Sequence, residues 1–239
     1  MEEKILEVQD LSTSFKTERG WLKAIDGVSF DVYSGEMLGI VGESGCGKSV
    51  TSQSILRLYE EKNTTKYSGT VSFDGQNLFD LPEKEMQKIR GQEISMVFQD
   101  ALSSLNPVFT VGNQIMESLR IHQNMGKKEA KEKAIDLLDQ VGIPDPQRRF
   151  YQYPFELSGG MRQRVMIAVA LACGPRILIA DEPTTALDVT IQAQIMDLIV
   201  DMNRKLQMGV MLITHDLAVV AETCQRVIVM YLGQIVEEG

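Results

Sequence analysis

The sequence predicts an α/β fold built on a largely parallel sheet with helices on both faces. Three observations predict it. Short apolar stretches alternate with helix-forming ones through most of the chain. MLGIVG (37–42) runs directly into the glycine-rich GESGCGKS and then into a helical stretch. RILIAD (176–181) and VMLITHD (210–216) are apolar runs that end in polar residues, and each is followed by a helix. Strands joined through helices pair in parallel and are covered on both faces, so they read as continuous apolar runs rather than alternating ones. An antiparallel opening and an all-helical middle interrupt that pattern.

In chain order, KILEVQDLSTSF (4–15), AIDGVSFDV (24–32) and GTVSFDG (69–75) read as strands, with a turn at Asp74-Gly75. Together they predict an N-terminal antiparallel β subdomain. The strand MLGIVG feeds the helix SVTSQSILRLY (49–59); a short helix, PEKEMQKIR (82–90), begins near Pro82 and stops at Gly91. EISMVFQD (93–100) is a buried strand ending at Gln99. From 100 to 157 the texture turns helical. GNQIMESLRIHQ (112–123) is followed by KKEAKEKAIDLLDQVG (127–142), which lines up Ala130, Ala134, Leu137, Leu138 and Val141 on one stripe and is stopped by Gly142 and Pro144. The α/β alternation then resumes with a helix after Ser158, the strand RILIAD, the helix at 190–207, the strand VMLITHD and the helix at 217–224. A hairpin, RVIVMYLGQIVEE, turns near Gly233. The expected organisation is one domain over 1–239. Its core, with the β subdomain, lies in 1–99 and 158–239, and 100–157 is an inserted helical subdomain.

Composition narrows the function. Hydrophobic residues make up 44% and charged residues 24% of 239, the balance of a globular enzyme with a sizeable core. The longest apolar run, VMIAVALAC, is nine residues against the about 20 that a membrane helix needs. The opening MEEKILEVQD has no basic start or apolar signal core, so export is not expected. Net charge is −9 with no lysine or arginine block, which argues against broad nucleic-acid binding. Cys46, Cys173 and Cys224 fit no metal or disulfide spacing, so a reducing cytoplasm is the natural setting.

The chemistry concentrates in a few stretches. GESGCGKS, Gly42 to Ser49, places a phosphate-binding loop between a strand and a helix. Its glycines let several backbone N–H groups converge on one anion, Lys48 reaches the β- and γ-phosphates, and Ser49 ligates Mg²⁺. Cys46 reads as an incidental member of the loop, a redox role being the alternative. RILIADE ends in two carboxylates: Asp181 suits a Mg²⁺ partner, and Glu182 is placed to orient and deprotonate a water. Gln99 and His215 both follow apolar strands and read either as site residues or as polar loop residues; His122, in the helical stretch, reads as a surface residue. In ELSGGMRQR, Ser158 is a good N-cap, and Gly159 and Gly160 leave the first helical N–H groups uncovered. A second anion cradle and a site of tight packing are both open readings of those glycines.

Taken in order, VGESGCGKS, Gln99, LSGGMRQR, ILIADEP, ALD (186–188) and THD (214–216) resemble the ATP-binding cassette (ABC) ATPases over the whole chain. The resemblance implies a P-loop NTPase (RecA-like) fold and ATP and Mg²⁺ as ligands. It also implies a head-to-tail dimer in which Ser158, Gly159 and Gly160 meet the γ-phosphate held on the partner's phosphate loop. It gives Gly42, Ser44, Gly45, Cys46, Gly47, Lys48, Ser49 and Val50 as the loop that holds the nucleotide. Ser49, Gln99 and Asp181 fall at the metal, Glu182 is the base and His215 holds the γ-phosphate. Gln163 accompanies the signature stretch at the nucleotide, and Asp188 sits at the dimer seam. Phe15 falls where an aromatic stacks on adenine, with a core role as its alternative.

FQDALSSLNP, ELSGGMRQRVMIAVALA and LIADEPTTALDVTIQAQI are similar to the ATPase subunits of bacterial peptide importers, and nickel and glutathione importers share the wording. The implied partners are a second ATPase subunit, identical or homologous, and membrane permease subunits docked on 100–157. An extracytoplasmic solute-binding protein acts indirectly, nucleic acid is not a partner, and the chain sits peripherally at the cytoplasmic face of the membrane. Peptide-importer ATPases usually continue with a proline-rich tail, which is expected to be lacking here. A non-transport ABC ATPase acting on nucleic acid is the rival reading; it expects a coiled-coil insertion or basic surface, and neither is present.

Overall fold

A computed structural model of the chain describes residues 3–60, 63–100, 104–185 and 187–239. In chain order its elements are β1 (Lys4–Thr17), β2 (Gly20–Tyr33), β3 (Met37–Gly42), α1 (Lys48–Ile55), β4 (Thr65–Phe73), β5 (Gln76–Asn77), α2 (Glu83–Ile89), β6 (Ile94–Val97), α3 (Val111–His122), α4 (Lys127–Gln140), α5 (Pro146–Arg149), α6 (Gly159–Leu171), β7 (Ile177–Asp181), α7 (Val189–Leu206), β8 (Gly209–Ile213), α8 (Leu217–Thr223), β9 (Arg226–Tyr231) and β10 (Gln234–Glu238). They fall into two compact units, one of Met1–Gln87 with Asn203–Gly239 and one of Lys88–Met202.

In the first unit, β2, β1, β4 and β5 form an antiparallel sheet in that order. The β1–β2 hairpin is longer than its apolar residues predict, pairing as far as Thr17 with Gly20. Phe15 opposite Leu22 and Lys16 opposite Trp21 carry the ladder through a stretch that looks polar, and the Lys66 ammonium lies 4.1 Å over the Trp21 ring. The Asp74-Gly75 turn is as expected, both residues at positive φ, which is the backbone of a two-residue hairpin. Strand β3 pairs in parallel with β8 and with β9, and β10 returns antiparallel on β9. Five of the six residues of β3 and all five of β8 are buried, as their uninterrupted apolar sequences require. Helix α1 stops at Ile55 rather than Tyr59. Arg57 takes φ 50° and sends its Nη1 to the carbonyls of Leu78 and Leu81, at 3.1 and 2.7 Å, so a tertiary tie overrides the helical pattern.

A buried ion pair fastens this unit. Glu36, 7% exposed, receives Arg226 Nε at 3.0 Å and the Tyr33 N–H at 2.9 Å. The same guanidinium donates to Glu238 at 3.0 Å and to the Asp31 carbonyl.

In the second unit, β6 and β7 pair in parallel, with Val97 opposite Ala180. Helices α3 and α4 bury the stripes their spacing predicts, Val111, Ile115 and Leu119 on one and Ala130, Ala134, Leu137 and Leu138 on the other. Helix α4 ends as expected at Gly142, whose N–H bonds Asp139 O at 2.8 Å while the Ile143 N–H reaches back to Leu138 O at 2.9 Å. Helix α6 buries seven of its thirteen residues, including Val165, Ile167 and Ala168.

Candidate active site

The first unit carries the phosphate loop. Strand β3 delivers the chain to Gly42, and α1 begins at Lys48 with Gly47 as its N-cap, where there is no side chain to occupy the helix start. Gly47 has φ 108°, and a Cβ there would lie 2.8 Å from Ile25 Cγ2, so no other residue fits without moving β2. Lys48 is buried, and its Nζ donates to the carbonyls of Gly42 and Glu43 at 2.8 and 2.9 Å. The ammonium therefore sits inside the curl of the loop rather than in solvent. Ser44 and Gly45 are exposed, Ser49 and Val50 are half-buried, and Cys46 is buried with its Sγ 3.9 Å from Lys48 Nζ. The loop is braced from the β9–β10 turn by Gly233 N–H, which donates to Cys46 O at 2.9 Å.

His215 shares this edge of the unit. Ile40 of β3 and Ile213 of β8 are register partners, so Gly42 and His215 each lie two residues past a matched pair. The neighbouring residues of the THD stretch are structural. Asp216 caps α8 by accepting from the N–H groups of Ala218 and Val219, and its own N–H bonds Thr214 Oγ1 at 3.1 Å. Phe15 is half-buried, its ring nearly perpendicular to that of Tyr59 at a centroid separation of 4.8 Å, so part of it is engaged in packing.

The second unit carries the carboxylates and the signature stretch. Gln99 and Glu182 each lie two residues past the Val97–Ala180 pair, and Gln99 Nε2 donates to Glu182 Oε2 at 2.9 Å. Asp181 is the last residue of β7 and is 3% exposed. Glu182 is held in the left-handed region at φ 46°, which for a non-glycine residue marks a position fixed by its surroundings. The turn that follows does the fixing: Thr185 N–H bonds Glu182 O at 3.2 Å, and Thr185 Oγ1 donates to Glu182 Oε2 at 2.9 Å.

Ser158 caps α6 as expected, its hydroxyl accepting from the Met161 N–H at 3.4 Å. Ser158 and Gly159 are exposed. The two open readings of the glycines divide between them. A Cβ on Gly160 would lie 2.7 Å from Ile191 Cγ2, so close packing against α7 requires that glycine. A Cβ on Gly159 would meet Leu187 Cδ2 at an ordinary 3.7 Å, so packing does not require this one. Those contacts also set the signature turn beside Asp188, an exposed residue whose Oδ1 caps α7 through the Ile191 N–H at 3.0 Å. Gln163 lies inside, 3% exposed with its Nε2 unpartnered, so it has no surface with which to touch a nucleotide held by another chain. His122 is half-buried rather than on the surface, because its ring lies beside Gly91.

Three residues at this unit's site have roles that sequence reasoning missed. Arg162 Nε donates to the carbonyls of Pro154 and Leu157, both at 3.0 Å, and holds the chain that enters Ser158. Arg164 ties Val141 O, at the end of α4, to Gln194 of α7. Thr185 is the third. Long-range partners carry no local signal; the RQR spacing alone hinted that two cations were committed here.

The residues named for Mg²⁺ supply a hydroxyl from Ser49, an amide oxygen from Gln99 and a carboxylate from Asp181. All are oxygen donors, which suits a hard cation that takes its remaining ligands from phosphate and water. Among the described residues no group of three or more His, Cys, Asp or Glu could hold a metal ion. Among the same residues, no helix is long and apolar enough to cross a membrane.

The ABC transporter family model matches residues 25–185, which include the phosphate loop, both carboxylates and the signature stretch. The chain belongs to the ABC transporter family. Among its ABC relatives, the "Probable peptide ABC transporter ATP-binding protein y4tR" of Sinorhizobium fredii is 59% identical over 98% of this chain and 70% of its own length. The dipeptide transport ATP-binding protein DppD of Escherichia coli is 52% identical over 98% of this chain and 72% of that protein. Among solved ABC structures, the dimeric post-hydrolysis state of the ATP-binding cassette MJ0796, bound to ADP and Pi, superposes with a TM-score of 0.87 at 30% identity, covering 98% of each chain. The P-loop α/β fold expected of an ABC ATPase is the fold observed.

Proposed function

We propose that this chain is the ATP-hydrolysing subunit of a bacterial ABC importer for di- or oligopeptides. The observation that carries the catalytic part is the hydrogen bond between Gln99 and Glu182, which sets a candidate base at the ends of two paired strands. ATP lies with its β- and γ-phosphates on the Gly42–Ser49 loop under Lys48, and Phe15 offers its face to adenine. Glu182 takes a proton from the attacking water, with Gln99 holding that water's geometry and His215 the γ-phosphate. Ser49, Gln99 and Asp181 would hold Mg²⁺, which would neutralise phosphate charge that two adjacent carboxylates would otherwise repel. The exposed Ser158–Gly159 corner and Asp188 face a second ATPase subunit, whose nucleotide the corner grips. ATP then favours the closed dimer, ADP does not, and that difference does work on the permease. The helical subdomain, 100–157, receives the permease at the cytoplasmic face of the membrane, and the peptide arrives through a solute-binding protein. The peptide substrate rests on the names of the relatives at 52–59% identity.

Glu182→Gln tests the reading. With Mg-ATP it elutes as a dimer in size-exclusion chromatography and turns over at least 100-fold more slowly than wild type, within the range general-base catalysis supplies. Turnover at the wild-type rate would remove Glu182 from its role.

A further inference from the structure

We infer that Thr185 is a positioning residue for Glu182, and the inference rests on the role just given to that carboxylate. Two donors converge on one oxygen of Glu182: Gln99 Nε2 at 2.9 Å and Thr185 Oγ1 at 2.9 Å. They come from opposite directions along the chain. Gln99 reaches in from the end of β6, whereas Thr185 lies in the same turn as Glu182 and holds that residue at its backbone too, through the 3.2 Å bond from its N–H to Glu182 O. Fixing Oε2 from two sides fixes the plane of the carboxylate and so the direction of its other oxygen, Oε1. A base that must meet a water within hydrogen-bonding distance depends on that direction.

The backbone shows why a second clamp is needed. At φ 46° Glu182 occupies a region that L-residues populate sparsely, and the chain leaves it immediately into Pro183. Nothing periodic supports a side chain there, as a strand or helix would. The two Thr185 bonds close the turn on itself. Beyond it the Leu187 N–H bonds Thr184 O at 3.2 Å, and Asp188 caps α7. Thr185 therefore ties this turn to Glu182 at both the backbone and the carboxylate. Exposed as it is, Thr185 contributes little to the core, which makes its hydroxyl separable from folding.

The test uses the full chain and steady-state phosphate release at saturating Mg-ATP, with Glu182→Gln measured first. Thr185→Val keeps the shape and removes the hydroxyl; kcat is expected to fall about tenfold, as befits one hydrogen bond to a charged group, with KM for ATP within about twofold. Thr185→Ser restores the donor and keeps at least about half of wild-type kcat. In the Glu182→Gln background, Thr185→Val has no further effect on single-turnover hydrolysis, because the group it positions is gone. If Glu182→Gln is severely impaired while Thr185→Val keeps wild-type kcat, the inference is overturned and the role of Glu182 stands. Serine failing to rescue, or a tenfold loss persisting in the Glu182→Gln background, overturns it equally. If Glu182→Gln itself is fully active, the reading beneath it has failed, and this inference with it.

Discussion

Gly159→Ala separates the two uses a glycine pair can have at a helix start. The added methyl meets Leu187 Cδ2 at 3.7 Å, ordinary van der Waals contact, so the fold bears no steric cost. Alanine is the better helix former by about 1 kcal/mol in a helix interior, so the melting temperature stays level or rises slightly. Gly160→Ala is the contrast: its methyl lies 2.7 Å from Ile191 Cγ2, an atom on a β-branched carbon that cannot swing aside. Overpacking of that kind costs about 1–3 kcal/mol, partly offset by the same gain in propensity. On the functional side the order reverses. At the exposed corner of α6, a methyl on residue 159 stands between the free N–H groups and a phosphate approaching from another chain. Losing one hydrogen bond to a charged group is worth about 1.5–3 kcal/mol, or about 10- to 100-fold in turnover. Gly159→Ala should therefore bind a fluorescent ATP analogue with wild-type affinity, melt at or above the wild-type temperature, and lose hydrolysis together with ATP-dependent dimerisation. An alanine variant that hydrolyses ATP and dimerises like the parent would refute the outward-facing cradle.

Other outcomes follow from the same geometry. Arg226→Met removes the guanidinium that pairs with Glu36, 6% exposed at its side chain, and should lower stability by about 3 kcal/mol in urea unfolding. A Glu36→Gln/Arg226→Met double variant should recover part of that loss, and no recovery would show that the strain lies elsewhere. For Cys173, burial pushes the thiol up from 9.0 to about 11. The folded chain keeps that thiol protonated where the unfolded chain ionises it, so its contribution to stability is complete below pH 9 and lost as pH rises through about 11. Unfolding midpoints measured from pH 8 to 11 should fall less steeply for Cys173→Ala than for wild type, and identical slopes would exclude the thiol.

The fold class was legible because strand–loop–helix chemistry is local. MLGIVGESGCGKS states a buried strand, a tight turn and a helix start within thirteen residues. The Asp74-Gly75 turn and the Gly142 stop were readable for the same reason, each being a backbone requirement met by one residue type. What escaped notice depends on distant partners. The β1–β2 hairpin extends through Lys16 to Lys23 because cross-strand pairs support it, not because that stretch alternates cleanly. The early end of α1 depends on carbonyls more than twenty residues beyond Arg57. At the candidate site, residue identities were readable but burial was not. Ser158 and Gln163 lie five positions apart in one motif, yet one is exposed and the other enclosed. Gly159 and Gly160 are indistinguishable as letters and differ only in what stands opposite them.

The tie between Gly233 and Cys46 bears on when this protein becomes competent. A ribosome completes the phosphate loop early, long before residue 233 emerges, yet the turn that braces the loop comes from that late hairpin. Asp26 N–H takes the Gly233 carbonyl at 2.8 Å, so the same late turn also pins the strand packed over Gly47. Until it arrives, the loop lacks the neighbours that hold its curl, and a nascent chain carrying the whole Gly42–Ser49 loop should still bind ATP poorly.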